Sequence, residues 1–194
     1  MLIHRFLTNL LYRSAKSRTR WTMRQRQKIT LILQMIKIEE YSDQYKEEII
    51  DLILGIQNKE FNISITADQQ PDLHRIKDYY QTACGNFWVA IKSAKVIGTI
   101  SLTDIGNHQA ALRKMFVHKD YRGSRIGTAK KLLSQLIDWS VSKSLEEIYL
   151  GTSSKFLAAH KFYEKNQFVE VSKSMLPKNF PIMEVDTKFY KLNL

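Results

Sequence analysis

The alternation of apolar and polar positions divides this chain into short, well-separated elements. Ile36 to Glu40 alternates with the period of a strand. Ser42-Asp43 then offers a helix N-cap, and Tyr45, Ile49, Leu52, Ile53 and Ile56 follow at helical spacing. From Gln57 to Asp72 the pattern dissolves into a long polar connection, of the kind that often carries function. Pro71-Asp72 opens a second short helix over Leu73 to Tyr80, with Gly85 at or just beyond its end. Phe87 to Ile91 and Val96 to Leu102 flank a polar break at Lys92 to Lys95 and predict a hairpin. A further turn at Gly106-Asn107 leads into Ala110 to Val117, so three consecutive antiparallel strands are expected. Beyond them the pattern predicts a helix over Thr128 to Ser142, a short buried strand over Ile148 to Thr152 and a helix over Ala158 to Lys165. Strands at Phe168 to Val171 and Thr187 to Leu192 close the chain around a loop holding Pro177 and Pro181.

The segment Leu112 to Leu133 reads as strand, glycine-bearing turn and helix. Leu112, Met115 and Val117 lie in an apolar run of strand length, and after Gly127 the spacing changes to Leu132, Leu133, Leu136 and Ile137, which is helical. A turn that delivers unpaired backbone N–H groups at a helix N-terminus favours an anion, since free donors and the helix dipole act in the same direction. Arg122 and Arg125 inside the turn favour a phosphate or pyrophosphate guest. The turn is neither the three-glycine dinucleotide fingerprint nor a P-loop.

Composition narrows the class. The 194 residues suit one domain with a substantial core, and 44% hydrophobic residues with 11% aromatic ones describe a globular protein. No apolar run has the roughly eighteen residues of a membrane span. The single Cys84 leaves no internal disulfide, so a cytoplasmic setting is expected, and beside Gly85 it reads as inert packing. The net charge of +11 is unevenly placed. Nine of the 30 basic residues precede the first acid, Glu39, leaving 21 basic against 19 acidic ones and a net charge of only +2 from there onward. The basicity belongs to residues 1–34. That arm reads as a targeting peptide, as a nucleic-acid or membrane-surface arm, or as an extension outside the domain; the last is favoured because a strand starts cleanly after Met35, as it would if the start codon were assigned too early. The domain is then expected over residues 35–194.

This order of elements resembles the GNAT superfamily of N-acetyltransferases, as does the bacterial-type pattern of motifs within it. Arg122-Gly-Ser-Arg-Ile-Gly127 resembles the family's Arg/Gln-x-x-Gly-x-Gly/Ala acyl-CoA loop, with Arg125 in place of the first motif glycine. The backbone donors survive that exchange provided Arg125 keeps an ordinary negative φ. Ala159-His-Lys-Phe-Tyr-Glu-Lys-Asn-Gln-Phe168 resembles the second signature, with Gln167 in place of its glycine and Phe156 where many members carry asparagine. The resemblance implies a mixed α/β fold with a central, mostly antiparallel sheet flanked by helices. It implies that Arg122, Gly123, Ser124, Arg125, Ile126, Gly127 and Thr128 hold the pyrophosphate of acetyl-CoA. The backbone of Met115, Phe116 and Val117 would pair with the pantetheine amides, as an open strand edge pairs with any amide-bearing ligand. No metal is implied.

For the chemistry, an amine attacks a thioester and a thiolate must leave. The resemblance makes Tyr163 the general acid that protonates the thiolate; the competing reading pairs Phe162 and Tyr163 as aromatic packing between helix and sheet. No general base stands out. Glu60, Asp104, His108 and His118 sit near element ends and read as surface residues, and His160 as packing or solvent-facing. Gln57 to Asp72 is expected to shape the acceptor site. The function expected is direct acetyl transfer to a small or peptide amine in a ternary complex. A noncatalytic acyl-CoA sensor on the same fold and a nucleic-acid-binding protein working through the basic arm are the alternatives. Similar proteins are often dimers, so a homodimer is one arrangement open to the chain.

Overall fold

The computed structural model describes residues 35–194. The expectation that residues 1–34 form an extension lies outside the described residues. The strands are β1 (Lys37–Glu40), β2 (Asn86–Lys92), β3 (Lys95–Gly106), β4 (Gln109–Val117), β5 (Glu147–Thr152), β6 (Val169–Val171) and β7 (Lys188–Asn193). The helices are α1 (Lys46–Leu54), α2 (Pro71–His74), α3 (Ile76–Tyr80), α4 (Thr128–Ser142) and α5 (Leu157–Lys165). The fold is the expected mixed α/β one: a single sheet in the order β1-β2-β3-β4-β5-β7-β6, antiparallel except where β4 meets β5.

Both meander turns have two central residues at positive φ, Ser93 (50°) with Ala94 (63°) and Asn107 (55°) with His108 (57°). That hand matches the twist of the strands they join, which is why these short hairpins close without glycine at either central position. Strand β7 inserts between β5 and β6, an order that sequence adjacency does not suggest.

The helices depart from expectation at their ends. Ser42 begins a 3-10 turn, Asp43–Tyr45, without a side-chain cap, and α1 starts only at Lys46, where Glu47 and Glu48 in its first turn complement the helix dipole. Instead of running regularly to Ile56, α1 widens into a π turn, Gly55–Glu60, closed by Phe61 N–H donating to Ile56 O at 3.3 Å. The second expected helix is two short ones, because Arg75 leaves helical space (φ −132°, ψ 50°). That break lets Tyr80 of α3 donate to Asp72 of α2 at 2.6 Å.

Alternation along the strands builds a core on each face. Trp88, Ala90, Ile100 and Leu112 face Leu132, Leu133 and Leu136 of α4 together with Tyr163 of α5. On the opposite face Phe87, Val89 and Ile91 meet Ile49, Ile53, Leu73 and Ile76. A smaller cluster of Tyr149, Phe180 and Phe189 seats the last loop. Buried side chains of this size stabilise the fold by about 1.5–3 kcal/mol each.

Candidate active site

The site begins with one extra residue in β4. Thr99 of β3 faces Phe116, but Ser101 faces Arg113, so Ile100 opposes both Lys114 and Met115. Lys114 occupies the left-handed region (φ 48°), and the buried Thr99 hydroxyl donates to its carbonyl at 2.7 Å. An inserted residue of this kind bends a strand and increases its twist. Accordingly β4 pairs with β5 only at Gln109, Ala110 and Ala111. From Leu112 onward the two parallel strands separate, and the backbone edge of Met115, Phe116 and Val117 has no ladder partner on the β5 side.

Past Val117 the chain makes a 3-10 turn, Lys119–Tyr121, and reaches α4 through Arg122–Gly127. Gly123 (φ 96°) and Gly127 (φ 73°) turn the loop, whereas Arg125 is absent from the positive-φ residues and so meets the condition set for it above. Within the loop, Arg122 N–H donates to Lys119 O and Gly127 N–H to Gly123 O. Among the described residues, the N–H groups of Ser124, Arg125, Ile126, Thr128, Ala129 and Lys130 find no acceptor. Thr128 is fully buried and its hydroxyl has no described partner. Free donors, an orphaned hydroxyl and a helix start without acidic residues fit a phosphate-bearing group. Arg122 donates from Nε to Val117 O at 2.6 Å and pairs with Glu60 at 2.8 Å; Arg125 is exposed.

Tyr163 stands on α5, 6% exposed, with Phe168 and Tyr190 at ring distances of 5.5 and 5.9 Å. The packing described by the competing reading is therefore present. Its hydroxyl makes no hydrogen bond with a described residue, and burial, then the charge of Asp186, holds the phenol well above its ordinary range. The phenol is thus fully protonated at neutral pH. At the C-terminus of α5, Gln167 adopts φ 69°, with its N–H on Glu164 O and that of Phe168 on Tyr163 O. This paired αL ending explains why a glycine suits that position.

The connection after α1 is tied to both sides of the opening. Glu60 pairs with Arg122 on the β4 side, and Phe61 meets Phe156, just before α5, edge to face at 4.5 Å. Asn58 exchanges two hydrogen bonds with Ile65, and Gln57 bonds Gln70. Lys114 pairs with Asp72 at 3.1 Å and donates to Gln70 at 2.7 Å, which fixes this connection and α2 to the β4 bulge. Burial lowers the Lys114 pKa against the opposing pull of Asp72.

The other candidates serve locally. Asp104 receives the N–H groups of Cys84 and Gly106, His108 Nδ1 contacts Ser144 O, His118 begins the 3-10 turn, and buried His160 contacts Ser153 O through Nε2. Burial and then Asp104 raise the Cys84 thiol pKa, consistent with an inert thiol. Two residues were not singled out from the sequence. Asp186, in the last loop, lies against Gly151 so closely that a Cβ there would collide with its carboxylate, and its pKa is raised by burial. Arg113 lies half-buried on β4 and donates weakly to Pro181 O at 3.5 Å. A charge inside an apolar strand was the signal for Arg113; Asp186 had none, since loop residues carry no periodicity. Among the described residues no group of three or more acidic, histidine or cysteine side chains is arranged for a metal, and no helix is long and apolar enough to cross a membrane.

Comparison with known proteins identifies the fold and the family. A GNAT-family acetyltransferase of Staphylococcus aureus superposes with a TM-score of 0.79 at 44% identity, covering 82% of this chain and 99% of that one. The PaiA N-acetyltransferase of Thermoplasma acidophilum, solved in complex with coenzyme A, shares the fold with a TM-score of 0.63 at 17% identity, over 82% of this chain and 99% of that one. N-acetylaspartate synthetase of Xenopus tropicalis is 36% identical over 104 residues, which are 52% of this chain and 37% of that protein. The match thus spans just over a third of this curated relative. The Acetyltransferase (GNAT) family profile matches residues 50–168, which contain the opened strand, the glycine loop and the tyrosine helix. With both signatures in place on the fold they require, the chain belongs to the GNAT family of acetyltransferases.

Proposed function

We propose that the protein is an N-acetyltransferase that moves an acetyl group from acetyl-CoA to a primary amine by direct attack within a ternary complex. The observation that carries this reading is the meeting, at one opening in the sheet, of a free strand edge, a donor-lined loop and a protonated, unpaired tyrosine hydroxyl. When bound, acetyl-CoA supplies an acyl group activated as a thioester. The loop from Arg122 through Gly123, Ser124, Arg125, Ile126 and Gly127 to Thr128 holds its pyrophosphate, chiefly through backbone N–H groups. The backbone of Met115, Phe116 and Val117 orients its pantetheine arm. As the new C–N bond forms and the C–S bond breaks, the nitrogen loses a proton to water, Tyr163 gives its hydroxyl proton to the departing sulfur, and water returns a proton to the tyrosinate. Closing the site with the Gly55–Phe61 segment limits water, which strengthens each of these polar contacts.

General-acid contributions are about 10²–10⁴-fold. Tyr163→Phe is therefore expected to lower kcat by at least about a hundredfold in a thiol-release assay, while calorimetry shows acetyl-CoA binding changed less than about threefold, since the aromatic packing is retained. Unchanged turnover would remove Tyr163 from the mechanism.

A further inference from the structure

Of the three cationic side chains on β4 beyond Leu112 and at the start of the glycine loop after it, Arg113, Lys114 and Arg122, two are already neutralised. Lys114 is paired with Asp72, and Arg122 with Glu60. Arg113 forms no ion pair with a described residue. Its contact with Pro181 O, at 3.5 Å, is at the limit of a hydrogen bond and supplies no countercharge. A half-buried guanidinium left without an anion is costly unless something else completes it.

Asp186 is the nearby anion, yet it does not complete Arg113. Arg113 reaches Pro181 O in the same loop as Asp186, but no oxygen of Asp186 comes within the 4.0 Å of an ion pair. Asp186 is held elsewhere. Its backbone N–H donates to Met183 O, its Oδ2 accepts from Met183 N–H at 3.0 Å, and its carboxylate is seated on Gly151 of β5. Oδ1 makes no hydrogen bond with a described residue. Gly151 adjoins Leu150, which packs in the same cluster as Tyr163, so this carboxylate sits on the strand next to the proposed general acid. Arg113 lies two residues beyond Ala111, and Gly151 two residues beyond its parallel partner Tyr149, so the guanidinium's strand position and the carboxylate seated on Gly151 oppose each other across the opening.

We propose that the acceptor is an amine that also carries a carboxylate, such as an amino acid or a short peptide with its acidic group near the free amine. Arg113 binds the carboxylate, and Asp186 binds the ammonium, which loses its proton to water before the free amine attacks. Gly151 is part of this site, because any side chain there would displace Asp186. The inference rests on the transferase reading above and narrows its acceptor.

The test is a thiol-release assay on the full chain with acetyl-CoA and matched acceptors: glycine, aspartate and glutamate against glycinamide, ethanolamine and putrescine. A charge-assisted hydrogen bond is worth about 1.5–3 kcal/mol, so the best carboxylate-bearing acceptor is expected to exceed its carboxamide or decarboxylated counterpart about ten- to hundredfold in kcat/KM. Arg113→Gln is expected to collapse that ratio toward one by raising KM for the carboxylate-bearing amine. If uncharged or dicationic amines are acetylated as well as the carboxylate-bearing ones, or if Arg113→Gln leaves the ratio intact, the acceptor inference falls while the transferase reading stands. If calorimetry shows no acetyl-CoA binding, or no amine of the panel releases thiol, both fall together.

Discussion

At the scale of single residues, the positions where this chain departs from its family signatures behave differently from one another. Arg125 costs the loop no left-handed backbone, because Gly123 and Gly127 provide the two positive-φ positions. Gln167 does adopt the left-handed conformation, at φ 69°. A side chain in that region costs about 1–2 kcal/mol, of which the flexibility of glycine in the unfolded chain returns about half. Gln167→Gly is therefore expected to stabilise the protein by about 0.5–1 kcal/mol, seen as a higher urea midpoint with an unchanged slope. Phe156 takes a packing role against Phe61 that a small polar residue would not fill. The two signatures were legible in the sequence because loop and helix place neighbouring residues together. That Arg113 and Asp186 share one opening was not, since it depends on β5, β7 and the last loop being folded around them.

Among elements, the ties that matter join short helices to the sheet. The Lys114–Asp72 pair is held by side chains only 7% and 12% exposed, with Tyr80 and Gln70 completing its hydrogen bonds. Removing one partner of a buried pair leaves an uncompensated charge, which typically costs about 3–5 kcal/mol. Asp72→Ala is expected to lose that much in urea unfolding, whereas Asp72→Leu combined with Lys114→Met loses markedly less. The regular elements were readable from periodicity; α4 runs from Thr128 to Ser142 as its apolar spacing predicts. The break at Arg75 and the π turn after Leu54 were not, because both are set by what the side chains reach in the folded molecule and not by local propensity.

For the whole molecule, alkaline pH is the sensitive direction. Burial is the first cause of the raised pKa values of Tyr41, Tyr45, Tyr80 and Tyr163, and that of Tyr45 is pushed up to about 12. A phenol whose folded pKa lies above its unfolded value of 10.0 contributes fully below pH 10 and loses that contribution as pH rises through the folded value. The lowered pKa of Lys114 acts oppositely, favouring the fold as pH rises toward 10.5, but it is one group against six phenols, since those of Tyr149 and Tyr190 are raised as well. Stability is expected to decline from about pH 10 upward, with tyrosinate absorbance rising together with the loss of far-ultraviolet dichroism. The sheet as a whole depends on the strand that carries the extra residue. Before Lys114 the even-numbered Ala110 and Leu112 face α4; after it the odd-numbered Met115 and Val117 do. Removing Lys114 would leave an unbroken alternation with every apolar side chain on its present face. The opening is thus written in the number of residues along β4 and not in their identity, so that point substitution can alter what the opening admits, while only insertion or deletion can readily close it.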